Sequence, residues 1–479
     1  MSRISALAWL LAPALVVAPF SAAAQPRPRA DEVDFILRPG QAIDEEDEED
    51  IWDWDTEPEP SLLESEIGPP LLGPAEGEEI GPALLGPDVP LEVRERVPRE
   101  PEEDDPFAAT GIRLGPFVIR PSIEIGVSAT DNVALEEDGE SAVGLVVAPA
   151  VNAIAEGDRH EIEIDLGGET ILYEDEQFNT RDAFARIRGR YDLGADTTLE
   201  GEGGYTEFRE DFSDPDTPGG AAERPMVRFF DATLGVEQRF GRLSLRPSAF
   251  VDRSTHEDVP LAGGGIASRR ELDNTQYGGR LRTGVLLGAV TPFAEIAAGV
   301  RDYDQEIDDS GFERSSVWGE LRGGLVIDRG EKLSGEVSIG FRREELKDST
   351  LPEIDAVLAN ASILWSPTRL TEVQVDLSTD VQSTSVPDES GSVLYSSLVT
   401  ISRRITPRIR IAGGGGVDYE YSVGGDWEDV TFTGFAEASY AFNRTASVQA
   451  RYSFEALDSS EDGGDYQAHI VSVRLRLQR

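Results

Sequence analysis

Apolar and charged side chains interleave with a period of two along most of the chain beyond about residue 115. In Glu161-Ile-Glu-Ile-Asp-Leu the apolar members are Ile162, Ile164 and Leu166, and in Thr371-Glu-Val-Gln-Val-Asp-Leu they are Val373, Val375 and Leu377. The same alternation sets Leu333, Val337, Ile339 and Phe341 on one face, and likewise Val448, Ala450, Tyr452 and Phe454, and Val471, Val473, Leu475 and Leu477. Opposite them stand Glu, Arg, Ser, Gln and Gly. Successive side chains of a β-strand point to opposite faces, so this pattern predicts strands with one apolar and one polar face.

The predicted strands begin near Phe117, Ala142, His160, Arg181, Thr197, Met226, Leu243, Arg270, Thr291, Phe312, Lys332, Asp355, Arg369, Gly391, Arg408, Trp427, Thr445 and Tyr466. Each is longer than the five or six residues usual in globular sheets. Tight links such as Glu156-Gly-Asp-Arg, Asp328-Arg-Gly-Glu and Ser366-Pro-Thr alternate with longer loops. Short turns on one side and long loops on the other are the pattern of a transmembrane antiparallel up-and-down β-barrel. The fold class is therefore all-β, with about 18 strands (16 to 18). Two aromatic girdles are expected: Tyr191, Phe240, Tyr440 and Phe442 before short turns, and Tyr173, Tyr303, Tyr419, Tyr421 and Tyr466 toward the long loops.

The first 110 residues have a different texture. Residues 1–24 read as a signal peptide, with Arg3 ahead of an apolar run to Phe20 and an Ala22-x-Ala24 cleavage pattern. Residues 25–109 hold 27 acidic residues against 6 arginines, including the unbroken run Asp44 to Asp50. They also contain a repeat, Ile67-Gly-Pro-Pro-Leu-Leu-Gly-Pro recurring as Ile80-Gly-Pro-Ala-Leu-Leu-Gly-Pro. Such a composition cannot bury enough apolar surface to offset chain entropy, so a disordered acidic periplasmic segment is expected there. Residues 110–479 form the predicted barrel. With a net charge of −49 and no cysteine, nucleic-acid binding, disulfides and thiolate metal sites are all disfavoured.

The barrel residues also resemble a known family, the outer-membrane β-barrels often encoded near exopolysaccharide synthesis and export loci in proteobacteria. The likeness rests on Phe117-Val-Ile-Arg-Pro-Ser-Ile-Glu-Ile-Gly-Val-Ser-Ala-Thr-Asp-Asn-Val, Arg239-Phe-Gly-Arg-Leu-Ser-Leu-Arg-Pro, Arg270-Glu-Leu-Asp-Asn-Thr-Gln-Tyr-Gly, Leu364-Trp-Ser-Pro-Thr-Arg-Leu-Thr and the closing Val473-Arg-Leu-Arg-Leu-Gln. It implies a porin-like barrel in the outer membrane linked to surface polysaccharide. Gln478-Arg479 stands where barrels in general carry a terminal aromatic.

Candidate chemistry is sparse. His160, His256 and His469 are scattered and none stands in a nucleophile motif, so no enzyme, cofactor or metal site is read from the sequence. The alternation places Arg186, Arg188, Arg190, Arg280, Arg282, Arg408, Arg410, Arg474 and Arg476 in the lumen toward the short-turn end. Arginine-lined pores attract anions, which points to export of surface polysaccharide or passage of anionic solutes. The alternative for these arginines is pairing with lumenal Glu200, Glu202, Glu237 and Glu372. The alternative function is a non-conducting surface barrel whose acidic loops, among them Asp302-Tyr-Asp-Gln-Glu-Ile-Asp-Asp, bind cations or saccharides. Expected partners are outer-membrane lipids, the assembly machinery, and polysaccharide export components or peptidoglycan. The acidic segment is either a spacer or a tethered occupant of the barrel's arginine-rich mouth.

Overall fold

The computed structural model describes residues 106–479, except 138, 211–215 and 461–462. The predicted leader and nearly all of the acidic segment lie outside the described residues.

Eighteen long antiparallel strands follow one another around a closed sheet. They are β1 (Phe117–Thr130), β2 (Ala142–Gly157), β3 (His160–Tyr173), β4 (Thr180–Asp192), β5 (Thr197–Arg209) and β6 (Met226–Phe240). Then come β7 (Leu243–His256), β8 (Asn274–Val285), β9 (Val290–Tyr303), β10 (Ser316–Asp328), β11 (Leu333–Leu346) and β12 (Ile354–Thr368). The last six are β13 (Thr371–Gln382), β14 (Gly391–Thr406), β15 (Ile409–Val423), β16 (Glu428–Asn443), β17 (Ala446–Ser459) and β18 (Tyr466–Gln478). Each pairs with its sequence neighbours, and β1 closes the ring on β18 from Ser122↔Gln478 to Thr130↔Ile470. A three-residue strand, Ile112–Leu114, folds back on Phe117–Ile119 through Gly115, whose φ of +62° suits glycine.

Two of the expected strand starts move. Arg270–Leu272 is a 3-10 turn, and β8 begins only at Asn274, because the Asp273 carboxylate accepts from the His256 backbone N–H and holds that stretch in the loop. Phe312 to Arg314 likewise stay in the loop before β10, where the Asp308 carboxylate accepts from Phe312 N and Arg314 Nε.

The apolar face of the alternation points outward. Val127, Leu166, Ile187, Leu234, Leu321 and Ile339 are all exposed on the outside of the sheet. A soluble protein does not present so continuous an apolar band, whereas a membrane barrel presents it to lipid. Strands of 12 to 16 residues comfortably exceed the roughly 9–11 tilted residues needed to cross the hydrocarbon. Toward the short turns Tyr191, Phe240, Tyr440 and Phe442 face outward as a girdle. At the long-loop end the expected girdle is different: Tyr303 and Tyr466 are buried on the inner face, where they fill space among polar side chains.

Ile339 lies mid-strand on β11 with its side chain 67% exposed on the outer face. Ile339→Arg is expected to cost about 2–4 kcal/mol of stability in lipid, as charges do at the bilayer midplane of such barrels. Denaturant unfolding from vesicles measures this, and a loss no larger than that of Ser338→Arg on the inner face would contradict the lipid-facing assignment.

Candidate functional site

The polar face of the alternation turns inward and its charges pair with one another. On β4 the side chains of Arg186 and Arg188 point in, opposite Asp165 and Glu163 of β3 and Gly204 and Glu202 of β5. Arg188 donates to Glu163 at 3.0 Å and to Glu202 at 3.2 Å, while Arg186 sits 3.7 Å from Glu202 and Arg190 reaches Asp192 at 3.3 Å. Glu200 and Glu237 both receive Arg246. On β8, Arg280 lies 3.4 Å from Glu295, and Arg282 bridges Glu295 at 2.7 Å and Glu336 at 2.8 Å. Arg474 grips Glu169, three strands away, and Arg476 lies 3.4 Å from Glu124. Contacts that skip strands in this way exist only across the inside of a curved sheet.

Seven of the nine arginines singled out in the sequence are therefore ion-paired on the inner face. Arg408 and Arg410 are not: neither has a carboxylate partner among the described residues. Arg408 lies in the turn before β15, donates to Phe442 O at 3.3 Å and stacks over the Phe107 ring at 5.1 Å. Glu372 is also inward, on β13.

The lumen is not uniform around its circumference. From β7 to β12 the inner face is packed solid, with Arg342 over the Trp318 ring at 4.3 Å, Trp318 stacked on Phe250, and Arg282 over Phe293 at 4.0 Å. Glu295, Glu344 and Arg342 are 1–2% exposed. Along β4 the arginine side chains are more exposed, at 28% for Arg186, 26% for Arg188 and 49% for Arg190, although Glu163 beside Arg188 is buried.

The long-loop mouth is narrowed by the barrel wall itself. Regular pairing of β12 with β13 ends at Ala361↔Leu377, and beyond it the Thr379 hydroxyl takes over, donating to Ala359 O and accepting from Ala359 N. The outer ends of β13 to β15 then curl inward. Val381 and Val393, which belong to the outer face by parity, pack against Ile354, Ala356 and Leu358 on the inner face of β12. Tyr395 closes the resulting gap by donating from its hydroxyl to Val357 O at 3.0 Å.

Side chains from around the ring hold the curl down. Arg301 of β9 donates to Val381 O at 3.2 Å. Arg314 donates to Glu389 O at 2.7 Å and Val386 O at 2.8 Å while paired with Asp308. Asp216, in the loop after β5, accepts from the Ser385 backbone N–H and hydroxyl at 2.8 and 2.7 Å. Glu389 accepts from Ser422 and Trp427 in turn. None of this was visible in the alternation, because parity says which face a residue occupies and not what comes to lie against that face.

The histidines stand far apart in the fold. His160 begins β3 beside a short turn, His256 lies 3.3 Å from Asp273 at the loop end of β7, and His469 lies on the outer face of β18, 2.8 Å from the Tyr452 hydroxyl. Among the described residues no group of three or more acidic or histidine side chains is placed to hold a metal ion.

A family model described as "Putative beta-barrel porin 2" matches residues 105–479. The chain belongs to this porin family. No curated protein matches it. Solved structures that resemble it include a mutant of the ferric enterobactin receptor PfeA from Pseudomonas aeruginosa, with 8% identity, 75% of this chain and 80% of that one covered, and a TM-score of 0.37. The siderophore receptor PirA from Acinetobacter baumannii gives 7% identity, 75% and 80% coverage and a TM-score of 0.37. The copper transporter OprC gives 8%, 77% and 81%, and 0.38. The family places this porin in the outer membrane.

Because Glu295 is buried between two guanidinium groups, Glu295→Ala removes a carboxylate that Arg280 and Arg282 share. The expected loss is about 3–5 kcal/mol, the range seen when one member of a buried pair is removed. Equilibrium unfolding in detergent tests it, and a loss below about 1 kcal/mol would show that water reaches these arginines.

Proposed function

We propose that this porin conducts small hydrophilic solutes, anions among them, along the open inner face of β4 and β5. The observation that carries this reading is the contrast around the lumen: the arginine side chains of β4 are 26–49% exposed, whereas the paired side chains of β8, β9 and β11 are 1–14% exposed. A channel lined by both signs of charge passes small polar solutes, and its selectivity follows the balance between them. Arg186, Arg188 and Arg190 offset Glu163, Glu202 and Asp192 on this path.

The short turns face the periplasm in this reading, since the chain enters the barrel at that end, where Arg444 Nε donates to Pro106 O at 2.6 Å. Export of a surface polysaccharide has the family resemblance in its favour. The inward curl of β13 to β15 weighs toward small solutes instead, since a polymer would have to displace it. Outer-membrane lipids and the assembly machinery are the partners such a barrel requires.

Two variants in planar bilayers test the reading. Replacing Arg186, Arg188 and Arg190 by Gln removes three positive charges from this path, so the reversal potential in a salt gradient should move toward cations. Deleting residues 383–389 removes the anchor points of Arg314 and Asp216, and single-channel conductance should rise. Closed traces from both the intact and the shortened protein would overturn the channel and favour a surface role for the loops.

A further inference from the structure

The short turns are basic, and the basic charge is unevenly balanced around the rim. Between β2 and β11 the turns carry both signs: Arg159 beside Asp158, Arg242 one turn along from Asp196, and Arg329 and Lys332 with Asp328 and Glu331. From β12 to β17 the turns carry Arg369, Arg408 and Arg444, with Arg403, Arg404 and Arg410 at the adjoining strand ends. Against these six cations the same turns and strand ends set a single carboxylate, Glu372. Among the described residues Arg369, Arg408, Arg410 and Arg444 have no carboxylate partner, and Arg369, Arg408 and Arg444 are exposed.

The chain arrives at this sector from one direction. Gly111 packs beside Val118 and Ile119 of β1, Gln478 at the end of β18 donates to Phe107 O, the Phe107 ring lies on Arg408, and Pro106 O accepts from Arg444. Followed backwards in sequence, the backbone thus runs along the rim from β1 past β18 to the turns at Arg444 and Arg408. The residues immediately before Pro106 are Glu100-Pro-Glu-Glu-Asp-Asp105, five carboxylates in six positions.

We propose that this acidic run docks along the arginine sector of the short-turn rim, continuing the path from Arg444 and Arg408 toward Arg369. Six residues span at most about 20 Å, so the tether confines the run to the neighbourhood of the arginines. Confinement raises the effective concentration to the millimolar range, where individually weak exposed pairs are occupied together. The docked run lies along the short turns from β12 to β17 and compensates the guanidinium groups of Arg408 and Arg410. The attraction is between solvent-exposed charges, so salt weakens it beyond a Debye length of about 8 Å. The proposal is independent of whether the barrel conducts.

The chain contains no cysteine, so a single nitroxide label can be placed by Pro101→Cys without removing any carboxylate of the run. In the full-length folded barrel at low ionic strength the label should give a broad, immobilised spectrum that sharpens in about 1 M salt, where the Debye length is about 3 Å. Replacing Arg369, Arg408 and Arg444 by Gln should sharpen it at low salt, and replacing them by Lys should restore much of the broadening. Heat-modifiable gel migration confirms that each variant is folded, and if the Gln variant fails to fold the salt titration of the labelled protein decides alone. A sharp spectrum at low salt, or a broad one indifferent to both salt and the Gln substitutions, overturns the docking.

Discussion

A β-sheet in hydrocarbon cannot leave a backbone N–H or C=O without a partner, and the pairing of β1 with β18 meets that demand. All other features of the barrel follow from its being closed. Once no edge remains, each strand has only two environments to offer its side chains, lipid and lumen, and the period-two alternation sorts them. The exposed Ile339 and Leu321 on one face and the buried Glu295 and Arg342 on the other are two outcomes of the same constraint.

The sorting creates a second problem on the inside. A concave polar wall brings guanidinium and carboxylate groups from strands three apart within reach, as with Arg474 and Glu169 or Arg282 and Glu336. Between β7 and β12 these pairs lose water and lie against the rings of Phe250, Phe293 and Trp318. Beside β4 the arginines keep a quarter to a half of their exposure while Glu163 is buried among them.

Much of this was legible in the residues. The strand number, the antiparallel order, the alternation of short and long links and the inward arginines of β4, β8 and β18 all follow from period two and turn composition. The starts of β8 and β10 were misplaced because Asp273 and Asp308 satisfy loop backbone donors through their side chains, which periodicity does not register. Tyr303 and Tyr466 misled for a related reason, since an aromatic near a strand end can serve either face. The curl of β13 to β15 was invisible because Val381 and Val393 keep their parity while the sheet that carries them bends over β12.

That curl has a consequence for direction. Near the short turns the full set of eighteen strands defines the perimeter, whereas near the long loops three of them bend into the interior and β14 reaches across to β12. The interior is therefore tapered, wide at the short turns and constricted at the long loops, where Arg301, Arg314 and Asp216 bring charge to the narrowest part. If the barrel conducts as proposed, a solute from one side would meet the wide mouth first and one from the other side the curl first, and the way the barrel is inserted would become part of what it selects.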